Sequence, residues 1–512
     1  MENKIMVKKT NTPIVLSTLN ARYIHSAFGL RYLKANLGDL EAQCVIEEFT
    51  LDSRPEDVVE RVLSYMPRVV GFGVYIWNVV QTEQVVALLK AVAPDVTIVL
   101  GGPEVSYEAD DQKIVQLADY VISGWGDVSF NRLVCELLDD KAPDEKMIAG
   151  LQPKLDQIRT PYHLYSQDDI KNRILYVEAS RGCPFKCEFC LSALDKTAWP
   201  FDLNEFLQSM DILYQKGARH FKFVDRTFNL KISNSLKIME FFLQRMDDDL
   251  FLHFEVIPDH LPDALKDGMV KFPSGALQFE IGIQTFNSDV QKLISRRQDN
   301  QKAKNNLRWI IEHTNAHVHA DLIFGLPGES LESFANSFDE LYELAPHEIQ
   351  VGILKRLKGS PIVRHTETHE MVFNPNPPFS IVSNSLVSFE DVQRISRFAR
   401  YWDLIGNSGH FKHTLSTLIS QQPFTLFMTL ANALFERTGQ THKISLLRLY
   451  DLVFSIATNE LAQDEKQVRG LIDKDFQNSG LKSIPKCLLG NLNELGDKRP
   501  SPKRHNARQT RH

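Results

Sequence analysis

Residues 174–190 read ILYVEASRGCPFKCEFC, a short apolar strand that runs straight into three cysteines within eight positions. The chain holds only six cysteines in 512 residues, so half of them fall in this one loop. A thiolate is a soft ligand that selects zinc or an iron–sulfur cluster. A structural zinc site closes with four ligands, in pairs or with histidines at finger spacing. Cys44, Cys135 and Cys487 lie far from the loop, and His163 and His220 lack that spacing. Three thiolates on a four-iron cubane would leave one iron free for a small molecule, which accounts for a loop that stops at three. As a bare C-x3-C-x2-C pattern, zinc and coincidence remain alternatives.

Downstream, apolar strands alternate with helical stretches: HFKFVD (220–225), LHFEVI (252–257), ALQFEIGI (276–283), HVHADLIFG (317–325) and EIQVGIL (348–354). With 174–180 they make six β/α units, the pattern of a partial (β/α)6 barrel with reactive groups at the strand C-termini. Upstream, PIVLSTL (13–19), QCVIEEF (43–49), VVGFGVYIW (69–77), TIVLGG (97–102) and DYVIS (119–123) alternate with helices in the same way. Such short, nearly unbroken apolar strands predict a parallel sheet covered on both faces, a doubly wound (Rossmann-like) domain. Ligands of such a sheet bind beyond the carboxyl ends of its strands. The reading is an α/β chain: a doubly wound domain over 1–140, a linker over 141–172, a barrel over 173–385, a helical domain over 386–490, and a basic tail over 491–512.

The cysteine spacing resembles the radical S-adenosylmethionine (SAM) superfamily, whose motif is C-x3-C-x-aromatic-C; Phe189 supplies the aromatic residue. The resemblance implies a [4Fe-4S] cluster on Cys183, Cys187 and Cys190, with SAM chelated on the open iron and Phe189 near the adenine. FKFVDRTFNL (221–230) is similar to a second-strand D-x-x-F motif, with Asp225 and Phe228, and the resemblance puts Asp225 among the SAM contacts. HFEVIPD (253–259) offers Glu255 for the methionine or ribose portion of SAM. FEIGIQTFN (279–287) resembles E-x-G-x-Q-S, with Glu280 and Gln284 on one face. LISRRQ (293–298) offers Arg296, with Arg297 second, as a carboxylate partner through its fork. ADLIFGLPGES (320–330) looks like the fifth-strand G-L-P-G-E, placing Gly325 and Pro327 beside the adenine.

The first domain resembles the cobalamin (B12)-binding domains of the B12-binding radical SAM branch. The matching turns are GFGVYIWN (71–78), VLGGPEVSYE (99–108) and SGWGDVSF (123–130), and they assign Gly73, Tyr75, Gly101, Gly102, Pro103, Gly124, Gly126 and Asp127 to cobalamin. The glycines alternatively serve tight turns only. The D-x-H-x-x-G motif, whose histidine ligates cobalt, is broken in NARYIHSAFG (20–29): Tyr23 replaces the aspartate, and Gly29 comes one position late. A corrin held without ligation by His25 is therefore expected. NARYIHSAFGLRYLKANL (20–37) together with the helical C-terminus resembles a bacterial subgroup with a C-terminal domain of unknown function.

What the resemblance implies is an enzyme that reductively cleaves SAM to methionine and a 5′-deoxyadenosyl radical. Cobalamin dependence follows from the first domain, for methyl transfer to, or radical rearrangement of, a small substrate. Its partners are that substrate and an electron donor such as flavodoxin or ferredoxin. A methylthiotransferase-like RNA modifier is an alternative, but it needs three N-terminal cysteines where this stretch offers Cys44 and Cys135. A non-catalytic iron–sulfur electron carrier or sensor is another.

The bulk properties agree with a cytoplasmic location. No run of eighteen apolar residues marks a membrane span, and MENKIMVKKTNTP at the start lacks the apolar core of a secretory signal. Scattered cysteines make no disulfide framework. Net charge is −7, without the basic bias of a nucleic-acid binder. The stretch from Asp497, DKRPSPKRHNARQTRH, carries six Lys/Arg against one acid and reads as a solvated tail or an RNA-binding arm.

Overall fold

The computed structural model describes residues 11–195 and 197–491; the basic stretch from Asp497 lies outside them. The described chain divides into two compact units. The first runs to Glu255 and takes in Lys355–Val363 and Asn374–Ser380; the second holds Val256–Leu354, Arg364–Phe373 and the chain from Ile381 on.

The first unit begins with six strands: β1 (Ile14–Asn20), β2 (Cys44–Thr50), β3 (Val69–Gly73), β4 (Thr97–Gly101), β5 (Tyr120–Ser123) and β6 (Met147–Ala149). They form one parallel sheet in the order β2-β1-β3-β4-β5-β6. Side chains alternate between its faces. Val15, Val70, Ile98 and Val121 pack against α2 (Pro55–Leu63) and α3 (Val79–Val92). Their neighbours Ile14, Leu16, Val69, Val99 and Ile122 pack on the other face with Leu30, Leu133 and Val134. Each large aliphatic side chain buried in this way contributes about 1.5–3 kcal/mol, and coverage on both faces is what makes the strands read as unbroken apolar runs. The order reverses at β1, which lies between β2 and β3, so a crevice opens at the carboxyl ends of β1 and β3.

Two readings of the sequence need correction here. The apolar run 69–77 does not stay extended to Trp77. Asn78 ends it: its Oδ1 accepts the Tyr75 N–H at 2.8 Å and its Nδ2 donates to Gly73 O at 3.1 Å. Residues 141–172, read as a linker, contribute β6 to the sheet and Asp169 to a buried ion network. In that network Arg31 meets Glu48 at 2.7 Å and Asp169 at 3.0 Å, and Arg173 meets Glu48 at 3.0 Å. Both guanidiniums are compensated out of water, which fixes the chain entering the next strand.

Also in the first unit are β7 (Leu175–Val177), a two-residue antiparallel pair β8 (Ser180–Arg181) with β9 (Trp199–Pro200), then β10 (His220–Phe223) and β11 (Phe251–Glu255). Strand β10 pairs in parallel with both β7 and β11. The second unit holds three parallel strands, β12 (Leu277–Gln284), β13 (His317–Phe324) and β14 (Glu348–Ile353), with a register shift between Gly282 and Gln284 where β12 meets β13. Among the described residues five α-helices follow Ser388: Phe389–Ile405, Lys412–Leu418, Pro423–Thr438, Leu446–Asn459 and Glu465–Gln477. An aromatic cluster knits them to Leu331–Glu343, with Phe338 edge-on to Phe398 and Trp402 at 5.0 and 4.9 Å, and Phe427 edge-on to Trp402 at 4.8 Å. Among the described residues, no helix is long and apolar enough to cross a membrane.

Candidate functional site

The cysteine loop leaves β8 through Gly182, whose φ is +98°. A Cβ there would lie 2.1 Å from the Thr197 carbonyl oxygen, so the close return of the chain toward β9 admits only glycine. Cys190 N–H donates to Cys187 O at 3.0 Å, closing a tight turn between the last two cysteines. Cys183, Cys187 and Cys190 are free thiols, each half-buried. Burial pushes the Cys183 thiol up, and Cys190 and Cys187 push it further, against the pull of a backbone hydrogen bond from Phe185. Among the described residues no His, Cys, Asp or Glu trio converges as a single-ion site. A cubane takes each thiolate on a different iron, so an all-thiolate loop of three fits that group. Phe189 is half-buried within the loop.

Asp225, read from the sequence as a SAM contact, is buried and bound to the strand before the cysteines. Its carboxyl group is 2% exposed. It accepts the Ala179 N–H at 2.9 Å and the Ser180 hydroxyl at 2.6 Å, fastening the chain just before the cysteines. Burial raises its pKa to about 7, against the pull of those hydrogen bonds. Glu255, at the end of β11, meets Arg226 Nη1 at 3.2 Å.

A cavity of about 810 Å³ opens beyond the strand ends of the first sheet. All eight residues assigned from the glycine turns line it: Gly73, Tyr75, Gly101, Gly102, Pro103, Gly124, Gly126 and Asp127. Gly102 has φ +110°, and a Cβ on it would lie 2.4 Å from Val74 O, so the backbone there is as close as glycine allows. This bare glycine wall and the size of the cavity fit a large flat ligand. Leu191, Leu194, Asp195 and Thr197, which follow the last cysteine, line the same cavity.

Among the lining residues that escaped the sequence reading are Tyr32, Trp125, Glu178 and Arg181. Arg181 Nη2 meets Glu178 Oε1 at 2.6 Å and its Nη1 meets Asp127 Oδ2 at 3.0 Å. The guanidinium also lies over the Tyr32 and Trp125 rings, 4.5 and 4.9 Å from their centroids. Burial opposes its charge, but Glu178 and Asp127 outweigh burial and raise its pKa. The only local signal was an arginine three residues after a glutamate. His25 is not among the lining residues; its Nδ1 lies 2.8 Å from the Tyr176 hydroxyl, and burial lowers its pKa.

The remaining residues read from the sequence as SAM contacts lie in the second unit. Gln284 is left-handed, with φ +70°, at a bulge in β12. Its amide folds over Gly282, where a Cβ would meet Gln284 Nε2 at 2.3 Å, which explains the glycine two positions before the glutamine. The Arg296 guanidinium donates to Gly282 O, and to Gln298 Oε1 at 2.8 Å. Glu280 is half-buried two residues before Gly282. Gly325 has φ +92° at the end of β13, and Pro327 is buried in the turn that follows.

Comparison with known proteins defines the class. Residues 14–134 match the B12 binding domain, 177–341 the radical SAM superfamily, and 367–509 a domain of unknown function, DUF4080. The chain thus combines, in this order, a region matching the B12 binding domain, one matching the radical SAM superfamily and one matching DUF4080. It is 26% identical over 234 residues to an uncharacterized methyltransferase of Pyrococcus horikoshii, covering 41% of this chain and 50% of the relative. It is 24% identical over 340 residues to the cobalamin-dependent radical SAM methyltransferase TokK of Streptomyces tokunonensis, covering 58% and 48%. The chain spans about half the length of these curated relatives. Among solved structures it is similar in fold to the cobalamin-dependent SAM radical enzyme OxsB with aqua-cobalamin and SAM bound. There the TM-score is 0.60 at 12% identity, over 92% of this chain and 84% of OxsB.

Proposed function

We propose that this protein is a cobalamin-dependent radical SAM enzyme that cleaves SAM reductively and methylates, or rearranges, a small-molecule substrate in the cytoplasm, with a flavodoxin or ferredoxin as electron donor. The observation that carries this reading is the cavity of the first unit. One wall combines the glycine turns of a B12-binding domain with the residues that directly follow Cys190. Methyl transfer is favoured over rearrangement because two curated relatives are named methyltransferases.

When bound, a [4Fe-4S] cluster with SAM supplies one-electron cleavage chemistry, and cobalamin supplies a transferable methyl group. Cys183, Cys187 and Cys190 hold the cluster, and Asp225 keeps their loop fastened to the chain after β7. The turns at Gly73, Gly101–Pro103 and Gly124–Asp127 receive the corrin without a histidine ligand. Phe189, Glu255, Glu280, Gln284, Arg296, Gly325 and Pro327 bind SAM.

Anaerobic reconstitution of the full chain with iron, sulfide and hydroxocobalamin tests the reading, followed by desalting, reduction and chromatography with SAM. Retained cobalt, a brown chromophore lost when all three cysteines become alanine, and SAM-derived methionine with 5′-deoxyadenosine or a methylated product are expected. An intact cluster that leaves SAM uncleaved would mark an electron carrier instead. Cobalt lost on desalting would remove cobalamin from the assignment. Cobalt retained by wild type and lost in His25→Ala would overturn the unligated corrin.

A further inference from the structure

The large cavity of the first unit carries an unbalanced charge. Among its described lining residues Arg181 is the one cation, and three carboxylates stand against it: Asp127, Glu178 and Asp195. Asp127 and Glu178 are each 6% exposed and share the Arg181 guanidinium, at 3.0 and 2.6 Å. Two carboxylates on one cation leave a negative charge out of water. Asp195 adds another, because its Oδ1 accepts neutral donors, the Thr197 N–H at 3.1 Å and the Thr197 hydroxyl at 2.5 Å. Tyr32 on the same wall adds no charge, since burial, and then Glu178, push its phenol well above the ordinary range. Its hydroxyl, on a residue 4% exposed, has no hydrogen-bond partner in the protein and is left for a ligand. A buried charge without a counter-charge is costly. The rest of the lining is mostly glycine turns and apolar side chains, so the counter-charge has to arrive with the ligand.

We propose that Asp127, Glu178 and Asp195 bind the corrin as a cation and so hold its cobalt in the cobalt(II) and cobalt(III) states, making cobalt(I) harder to reach. The proposal rests on the reading of this cavity as the cobalamin site and adds which oxidation states the site favours. A corrin ring carries one negative charge, so its cobalt(II) and cobalt(III) complexes are cationic and its cobalt(I) complex is neutral. When bound cob(II)alamin takes one electron from the donor and becomes cob(I)alamin, the positive charge facing the three acids is lost. Negative charge in a poorly screened cavity opposes that step and moves the couple to lower potential. By linkage the same carboxylates favour binding of cob(II)alamin over cob(I)alamin by an equal factor.

A spectroelectrochemical titration of the cob(II)alamin/cob(I)alamin couple in the reconstituted full chain tests this. Asp195→Asn and Asp127→Asn should each favour cob(I)alamin about tenfold relative to wild type, an upward shift of about 59 mV for a one-electron couple. Asp195→Glu keeps the charge and should keep the wild-type potential. Glu56→Gln should keep it too, because that acid is an exposed residue of α2 outside the cavity lining. Should Asp127→Asn fail to fold or shed its cobalamin, Asp195→Asn carries the test. A couple unmoved by Asp195→Asn, or moved as far by Asp195→Glu, overturns the proposal and leaves the cobalamin reading standing. A wild type that retains no cobalamin overturns that reading and the proposal with it.

Discussion

The Arg181 guanidinium lies 3.0 Å from the Asp127 carboxylate, so a residue two before Cys183 is ion-paired with the turn that follows β5. Glu178 holds the same guanidinium at 2.6 Å. Both carboxylates and the arginine that joins them line the large cavity. A change of shape at the glycine turns is thereby felt two residues from a cysteine.

Replacing Arg181 with Gln should leave Asp127 and Glu178 buried without their cation, at about 3–5 kcal/mol. Denaturant unfolding should register that loss, and the visible spectrum after desalting should show less retained cobalamin. Arg181→Lys should recover only part of both, because a single ammonium cannot serve two carboxylates as a planar fork does. Stability unchanged in Arg181→Gln would show that the pair contributes nothing net.

Gly102 and Gly124 both have positive φ, yet they should respond differently to alanine. At Gly124 nothing lies within 4 Å of the added Cβ, so only backbone strain of about 1–2 kcal/mol applies. At Gly102 the Cβ would also meet Val74 O at 2.4 Å, and that backbone must move. Gly102→Ala should therefore lower Tm more and cost cobalamin retention, while Gly124→Ala keeps it.

Asp225 gives the stability a pH dependence whose sign follows from its raised pKa of about 7. The native state holds this proton more tightly than the unfolded chain, whose carboxyl titrates near 3.8. The stabilisation is complete below the unfolded value and is lost as pH rises through about 7. Asp225→Asn removes that slope, which is at most about 1.4 kcal/mol per pH unit. Between pH 4 and pH 7 the Tm of wild type should fall relative to that of Asp225→Asn, and parallel curves would exclude the buried neutral acid.

Segment Lys355–Val363 is tied to the loop after β4 by two ion pairs of unequal depth. Glu104 and Lys358 meet at 2.8 Å with side chains 3% and 12% exposed, whereas Arg356 and Glu108 meet at 2.7 Å with 29% and 39%. Lys358→Met should cost about 3–5 kcal/mol, since it strands a buried carboxylate, whose pKa burial already raises. Glu104→Leu with Lys358→Met should recover most of it. Arg356→Met should cost under about 1 kcal/mol. Urea titrations of the variants rank these, and equal costs would mean that burial is not what decides.

Much of the site was legible because its signals are local. Ligand spacing within one loop, glycines just after strands, and the missing aspartate at Tyr23 are all read within a few residues of each other. The apolar runs of β1 to β5 mark the sheet for the same reason, since burial on both faces is written into every position of a strand. β6 escaped because an edge strand of three residues buries too little to leave a pattern. Asp225 was placed on the cofactor because its motif gives a position and no direction; the fold turns its carboxyl group toward Ala179 and Ser180.

The sequence by itself determined the thiolate loop, the order of β/α units and the glycine turns that admit a flat ligand. Only the tertiary structure decided that those turns share one cavity with the residues after Cys190, that Arg181 reaches Asp127, and that Lys358 reaches Glu104. The reason is energetic. A charge leaves water only where a partner from elsewhere in the chain has already been brought to it. Such pairs have no period, no spacing and no local composition by which a sequence could announce them.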